Sequence, residues 1–386
     1  MENLSEHKGG TSIEKYFSSD GLYKVISIGS YGLNNEYIDQ GIRAVKNKTT
    51  ESKLVRSGQL TMVLNDKTAN GNLIGRCLLI SKDNEFIVNQ RTEIIIPGPD
   101  LNENYAYYYL NGPFRNKVKK IAQGGTQIYV NYSSVKRQKI NYPIKNEQIK
   151  ISKLLKIIKS LITLYERKLK LLSRVKKYFL DNLFAKKEYP NLRFKGFTDA
   201  WKQRKLSSIL IERKDLSTES KEFPLSSFIQ EKGVVPKSQR YDRSFLVKDS
   251  SKKYKVTKFG DFIYSSNNLD TGSIGLNSYG NAVISPVYSV FSSKNLNVLE
   301  TNFVNLLFQQ NFYKNKMLRF RQGVMYGQLK IKEDDFLKIR VNVPSQTEIK
   351  NITNLFSKIE LYATLLENKK KQLVQIKSIL LNTMFI

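Results

Sequence analysis

Apolar residues recur every seven positions along two stretches of this chain. Ile151, Ile158, Tyr165, Leu172 and Phe179 mark the first, in residues 146–184. Ile352, Ile359, Leu366, Leu373 and Leu380 mark the second, in residues 347–385. Leu154, Leu161 and Val175, and then Leu355, Tyr362 and Ile376, fall three residues after repeat positions and complete a heptad pattern. Pro143 and Pro344 lie just before the two stretches, and neither interior holds Gly or Pro. The spacing predicts two helices, each roughly 58 Å long at ~1.5 Å per residue. Two such seams predict a coiled coil; the other reading is two amphipathic helices, each packed on its own domain. Lys168 and Lys369 fall on the companion seam at matching points. A polar seam residue fixes register, or its stem covers the seam while the ammonium reaches water.

Shorter patterns fill the rest. Residues 23–28 and 93–96 are apolar runs among Gly and Asn turns such as Asn70-Gly71-Asn72 and Gly124-Gly125, which predicts short strands with irregular loops. Residues 105–121 predict a helix. The same plan returns later: 223–229 matches 23–28, 254–263 matches 52–63 through Gly260 and Gly58, and 302–320 matches 105–121. From Pro143/Pro344 to Phe184/Phe385 the two copies align without a gap, with Glu147/Glu348, Ile151/Ile352, Lys176/Lys377 and Leu180/Leu381 among the identities. The repeat is too long for a solenoid. The organisation is therefore α+β, two similar globular domains each followed by a long helix: 1–143, helix 144–189, 190–344, helix 345–386. A protein built twice presents two similar surfaces, and its target has two parts.

Charge narrows the target. The net charge is +30, and each of the four segments is positive. A polyanion is the economical partner, because each phosphate neutralised by Lys or Arg releases a counterion; the bland alternative is a solubilising surface. Cys77 and His7 are the only residues of their kinds. That excludes a disulfide within the chain, Cys or His zinc sites, and Ser-His or Cys-His catalysis. The polar N-terminus and the lack of a membrane-spanning apolar run predict a cytoplasmic protein with no membrane partner.

Two pairs of loops carry candidate DNA-reading chemistry. The first pair joins Gln123, Gly124, Gly125, Thr126, Gln127 and Tyr129, beside Lys119 and Lys120, to Arg319, Arg321, Gln322, Gly323, Tyr326 and Gln328 in the second copy. Glycine lets backbone approach a ligand, Gln pairs with adenine bidentately, and Arg or Lys reads guanine. The second pair, residues 65–72 and 265–273, offers Asn65, Lys67, Asn268 and Thr271; hairpin connections are an equal reading. No P-loop, dinucleotide fingerprint, methyltransferase tetrapeptide or nuclease carboxylate-lysine cluster is present. The residues describe recognition without catalysis, and a nucleic-acid enzyme with a cryptic site is the disfavoured alternative.

At this point the chain resembles the specificity (S) subunit of a type I restriction-modification enzyme. The resemblance spans nearly the whole length. It rests on the duplicated domain-plus-helix plan, the proline-led helices, and the junction Arg193-Phe194-Lys195-Gly196-Phe197 with Trp201 before the second domain. The first domain has no counterpart to this junction or to the basic run 202–205. The resemblance implies two target recognition domains, each reading half of a split double-stranded DNA site in the major groove. It implies conserved spacer helices packed as an antiparallel coiled coil with a pseudo-two-fold repeat, setting the distance between half-sites. It further implies two modification subunits that methylate adenine with S-adenosylmethionine, and restriction subunits that use ATP and Mg2+. The chain itself would hold no cofactor or metal. A stand-alone two-domain DNA-binding regulator is the alternative from another class.

Overall fold

Strands of alternating pattern build the folded parts of this computed structural model. It describes residues 1–67, 70–229, 232–237, 252–265, 274–323 and 329–385. The chain divides into two units, Met1–Arg167 with Leu366–Ile386, and Lys168–Leu365.

In the first unit, strands Ser5–Gly9, Thr92–Pro97, Leu60–Val63 and Cys77–Leu79 form an antiparallel sheet in that order. Successive side chains on a strand face opposite ways. Met62 and Ile95 therefore enter one core with Tyr105, Phe114 and Val118, while Val63 and Ile94 enter another with Tyr31 and Val88. A second sheet orders Arg43–Ala44, Tyr23–Ile26, Phe86–Val88 and Leu54–Val55, with Tyr23–Ile26 parallel to Phe86–Val88. The single histidine is structural: His7 Nδ1 lies 2.7 Å from Glu93 Oε1 on the neighbouring strand.

The second unit repeats the first sheet's order with Leu210–Glu212, Ser289–Ser293, Phe262–Tyr264 and Ile274–Leu276. Phe262, Tyr264 and Phe291 face one core, and Ile263 and Val290 face the other. Gly58 and Gly260 occupy matching turns at φ +82 and +83, a conformation that side chains resist. Residues 105–121 and 302–320 differ from the predicted single helices. Each is two helices, Glu103–Asn111 with Pro113–Ile121, and Val298–Phe308 with Asn311–Leu318. Pro113 cannot sit inside a helix and instead starts one.

The long helices are Lys145–Asn182 and Gln346–Thr383, 38 residues each. They run antiparallel within each unit. In the first, Ile151 and Leu155 share a core with Leu380 and Phe385, while Glu166 pairs with Lys370 at 2.9 Å. In the second, Leu183 and Phe184 share a core with Ile352 and Phe356, while Lys176 pairs with Glu360 at 3.1 Å. Ile151, Ile158, Ile352, Ile359 and Leu366 are buried, and Tyr165, Leu172, Phe179, Leu373 and Leu380 half-buried.

The companion seam lies one residue later than the heptad reading placed it. Leu155, Ile162, Leu169, Lys176 and Leu183 face inward, as do Phe356, Ala363, Lys370, Lys377 and Met384. Of the positions the heptad reading named, Leu154, Leu161, Tyr362 and Ile376 are exposed, while Val175 and Leu355 are half-buried. Lys168 and Lys369 are exposed too, so they do not interrupt the seam. Adjacent apolar pairs such as Leu154-Leu155 and Leu161-Ile162 let the pattern be read at either spacing. Packing on the domains as well as on the other helix selects the later one.

The junction before the second domain has a structural account. Arg193 makes a bidentate pair with Glu348 in the first turn of the second long helix, both contacts at 2.8 Å. Trp201 packs on Phe303 and Phe184. The following strand, Lys202–Lys205, pairs with Arg340–Val343; the equivalent residues 139–142 of the first unit are in no strand.

Candidate nucleic-acid interface

In the first unit the two candidate loops meet. Strand Asn65–Asp66 pairs antiparallel with Ile128–Tyr129. Gln123 and Tyr129 exchange backbone hydrogen bonds at 2.9 Å, closing residues 123–129 into a tight hairpin. Gly124 permits the turn: φ is +105, and a Cβ there would lie 2.0 Å from the Gln127 carbonyl oxygen. The hairpin residues Gln123, Gly124, Gly125, Thr126 and Gln127 are exposed, as is Tyr129. Lys119 and Lys120 are exposed in the last turn of the helix that leads into it.

Beside the hairpin is a cleft of about 810 Å³ whose lining includes Gln127, Tyr129, Asn65 and Lys67. Asn65 is buried at this wall, and its Oδ1 has no hydrogen-bond partner among the described residues. Glu14, Gln40, Gln90 and Arg91 are among the lining residues not singled out from the sequence. Gln90 and Arg91 belong to the polar turn 89–91 between two apolar strands, and Arg91 takes a left-handed φ of +66. That polar triplet was the available signal. Glu14 gave none.

Glu14 is held as a carboxylate. Hydrogen bonds from Ser12 and Asn89, joined by Gln90, lower its pKa to about 2. Asn89 Nδ2 and Gln90 Nε2 donate to Oε1 at 2.9 and 3.0 Å. Arg115, also missed, braces the backbone on either side of the lining residue Leu73. Its guanidinium donates to the carbonyls of Ile74, Gly71 and Asn72 at 2.9, 3.1 and 2.8 Å. The lining thus offers amide donors and acceptors, a fixed anion and cations within one concave wall, which is the vocabulary of base-edge readout.

In the second unit Arg319 is exposed after helix Asn311–Leu318, and Arg321 is half-buried. Strand Gln322–Gly323 pairs antiparallel with Leu329–Lys330. The Gln322 amide donates to Asp335 Oδ2 at 3.1 Å. Tyr326, Gln328, Asn268 and Thr271 lie outside the described residues.

Among the described residues no helix is long and apolar enough to cross a membrane, and no group of three or more His, Cys, Asp or Glu is placed to hold a metal. Residues 2–174 match the family model described as the type I restriction modification DNA specificity domain. The chain is also similar to the S subunit of a type I restriction-modification system from M. genitalium, with 13% identity and a TM-score of 0.61, covering 100% of this chain and 94% of that one. A chain from a structure of the type I restriction-modification system, concerned with complex assembly and conformational transition, matches with 12% identity and a TM-score of 0.54, covering 100% and 96%. At such identities the structural likeness is one of fold. The chain thus carries a match to a type I restriction modification DNA specificity domain at residues 2–174, and along its length it shares the fold of those type I restriction-modification chains.

Proposed function

We propose that each unit reads one half of a split DNA site through the major groove, and that the long helices set the spacer between the halves. The observation that carries this is the first unit's cleft, where Asn65–Asp66 and Ile128–Tyr129 pair beside Lys67 and Gln127. The protein supplies recognition and no catalytic group. Adenine methylation with S-adenosylmethionine belongs to two modification subunits, and ATP- and Mg2+-dependent translocation and cleavage belong to restriction subunits joined through the complex. All of this takes place in the cytoplasm.

A second apolar stripe supports the docking of the modification subunits. Leu154, Ile157, Leu161 and Leu164, followed by Leu171 and Tyr178, are exposed at heptad spacing on the first long helix. Leu361, Tyr362, Leu365, Ile376 and Ile379 are exposed on the second. Patches of this kind mark interaction sites, and a seam at helical spacing fits partner helices. A stand-alone regulator would have no use for them. Methylome sequencing of cells with and without this chain is the test. A split adenine-methylation motif that disappears with the chain is expected; an unchanged methylome, with the chain purifying free of partners, would refute the assignment.

A further inference from the structure

We propose that the two-stranded ribbon of the second unit, Lys202–Lys205 with Arg340–Val343, is a binding site for the phosphate backbone of duplex DNA outside the bases that are read. This rests on the DNA-reading role and adds a surface to it.

The first strand is exposed at all four of its positions. Its register sets Lys205 opposite Arg340. Like charges directly opposite destabilise a strand pair, so the ribbon carries a repulsion that an anion relieves. Lys316 joins them: its Nζ donates to the Arg340 carbonyl at 3.4 Å. Burial, and then the neighbouring Arg319, lower the Lys316 pKa. Beside the ribbon a cavity of about 810 Å³ is lined by Lys186, Lys187, Gln203 and Asn342, with Glu188 as its one carboxylate. Asn342 holds the lysine-bearing segment there by donating to the carbonyls of Ala185 and Lys187. Among the described residues none of Lys186, Lys187, Lys202, Arg204, Lys205 and Arg340 makes an ion pair.

Continuity identifies the polyanion. Lys316 lies in helix Asn311–Leu318, which runs directly into Arg319 and the strand Gln322–Gly323. The basic strip therefore extends from the candidate reading segment. Duplex DNA crossing that segment carries one phosphate per ~3.4 Å of each strand, and such contacts position a protein without reading sequence.

Lys205→Glu separates this role from a structural one. With Arg340 retained it replaces a repulsive cross-strand pair by an attractive one, so the melting temperature is not lowered. The test uses the chain assembled with its modification subunits. The probes are a duplex carrying the methylome-defined motif and a scrambled duplex of equal length. The expected result is several-fold weaker binding to both duplexes at low salt. The slope of log K against log salt should be shallower by about 1–2, with the affinity ratio between the duplexes unchanged. Unaltered affinity and slope would overturn the proposal, as would loss on the motif duplex alone, which would make Lys205 a base reader. Loss of a co-purifying subunit with DNA binding intact would also overturn it, assigning the ribbon to an acidic protein. A wild-type complex that does not discriminate the duplexes refutes the specificity reading instead, and the slope then judges the ribbon separately.

Discussion

Glu14 places a fixed negative charge in the cleft proposed to face DNA. Its hydrogen bonds from Ser12, Asn89 and Gln90 keep it ionised, so a phosphate cannot rest there. A base edge with an amino group can, because a carboxylate accepts from cytosine N4 or another exocyclic amine. Glu14→Gln should therefore strengthen binding to unrelated DNA and shrink the preference for the true motif by roughly 10-fold, about 1.4 kcal/mol and within the ~1–3 kcal/mol of one base contact. Paired titrations on the two DNAs measure both changes; a preserved preference would remove Glu14 from readout. Arg193 acts on stability instead. Glu348 is 1% exposed and carries both of its guanidinium contacts. Arg193→Ala strands that carboxylate, at a cost of about 3–5 kcal/mol. Arg193→Lys recovers only part of the loss, since one ammonium cannot match a fork. Urea unfolding of the two variants gives the comparison.

The long helices were readable because a heptad repeat over 38 residues leaves few alternatives. Their companion seam was not, since Leu154-Leu155 and Leu161-Ile162 offer apolar side chains at both spacings. The hairpin at Gln123–Tyr129 was visible through its glycines. Its meeting with Asn65–Asp66 was not, because a two-residue strand pairing leaves no period to detect. Glu14 and Arg91 come to the cleft from segments far apart in the chain, and no local pattern announces such a convergence. For the helices as rulers, insertion of one heptad into each, between Arg167 and Lys168 and between Leu365 and Leu366, keeps the seam in phase. It adds about 10 Å, close to three base pairs at ~3.4 Å each. The methylation motif should gain that much spacer with its half-site sequences unchanged. An active variant with the old spacer would end the ruler idea.

For the whole molecule, the uncovered helical stripe predicts dependence on partners. The double variant Leu161→Glu, Tyr362→Glu changes two exposed residues of that stripe and no core contact. It should leave the melting temperature near that of the parent and abolish co-purification of the modification subunits, and with it all motif methylation. Retained co-purification would move the docking surface elsewhere on the chain.

The division of the chain carries a consequence for its synthesis. The second unit is one continuous segment, Lys168–Leu365, whereas the first is completed only by Leu366–Ile386. Phe385 closes the first core, 5.0 Å from the ring of Tyr105 and 5.5 Å from that of Tyr109. A ribosome adds ~5–20 residues per second, so the domain made first waits through the translation of the entire second one before its core can be sealed. The unit made later has every part it needs earlier. An unfinished nascent chain thus lacks a fully formed first unit, and under the proposed function a truncated product would be without one of its two readers.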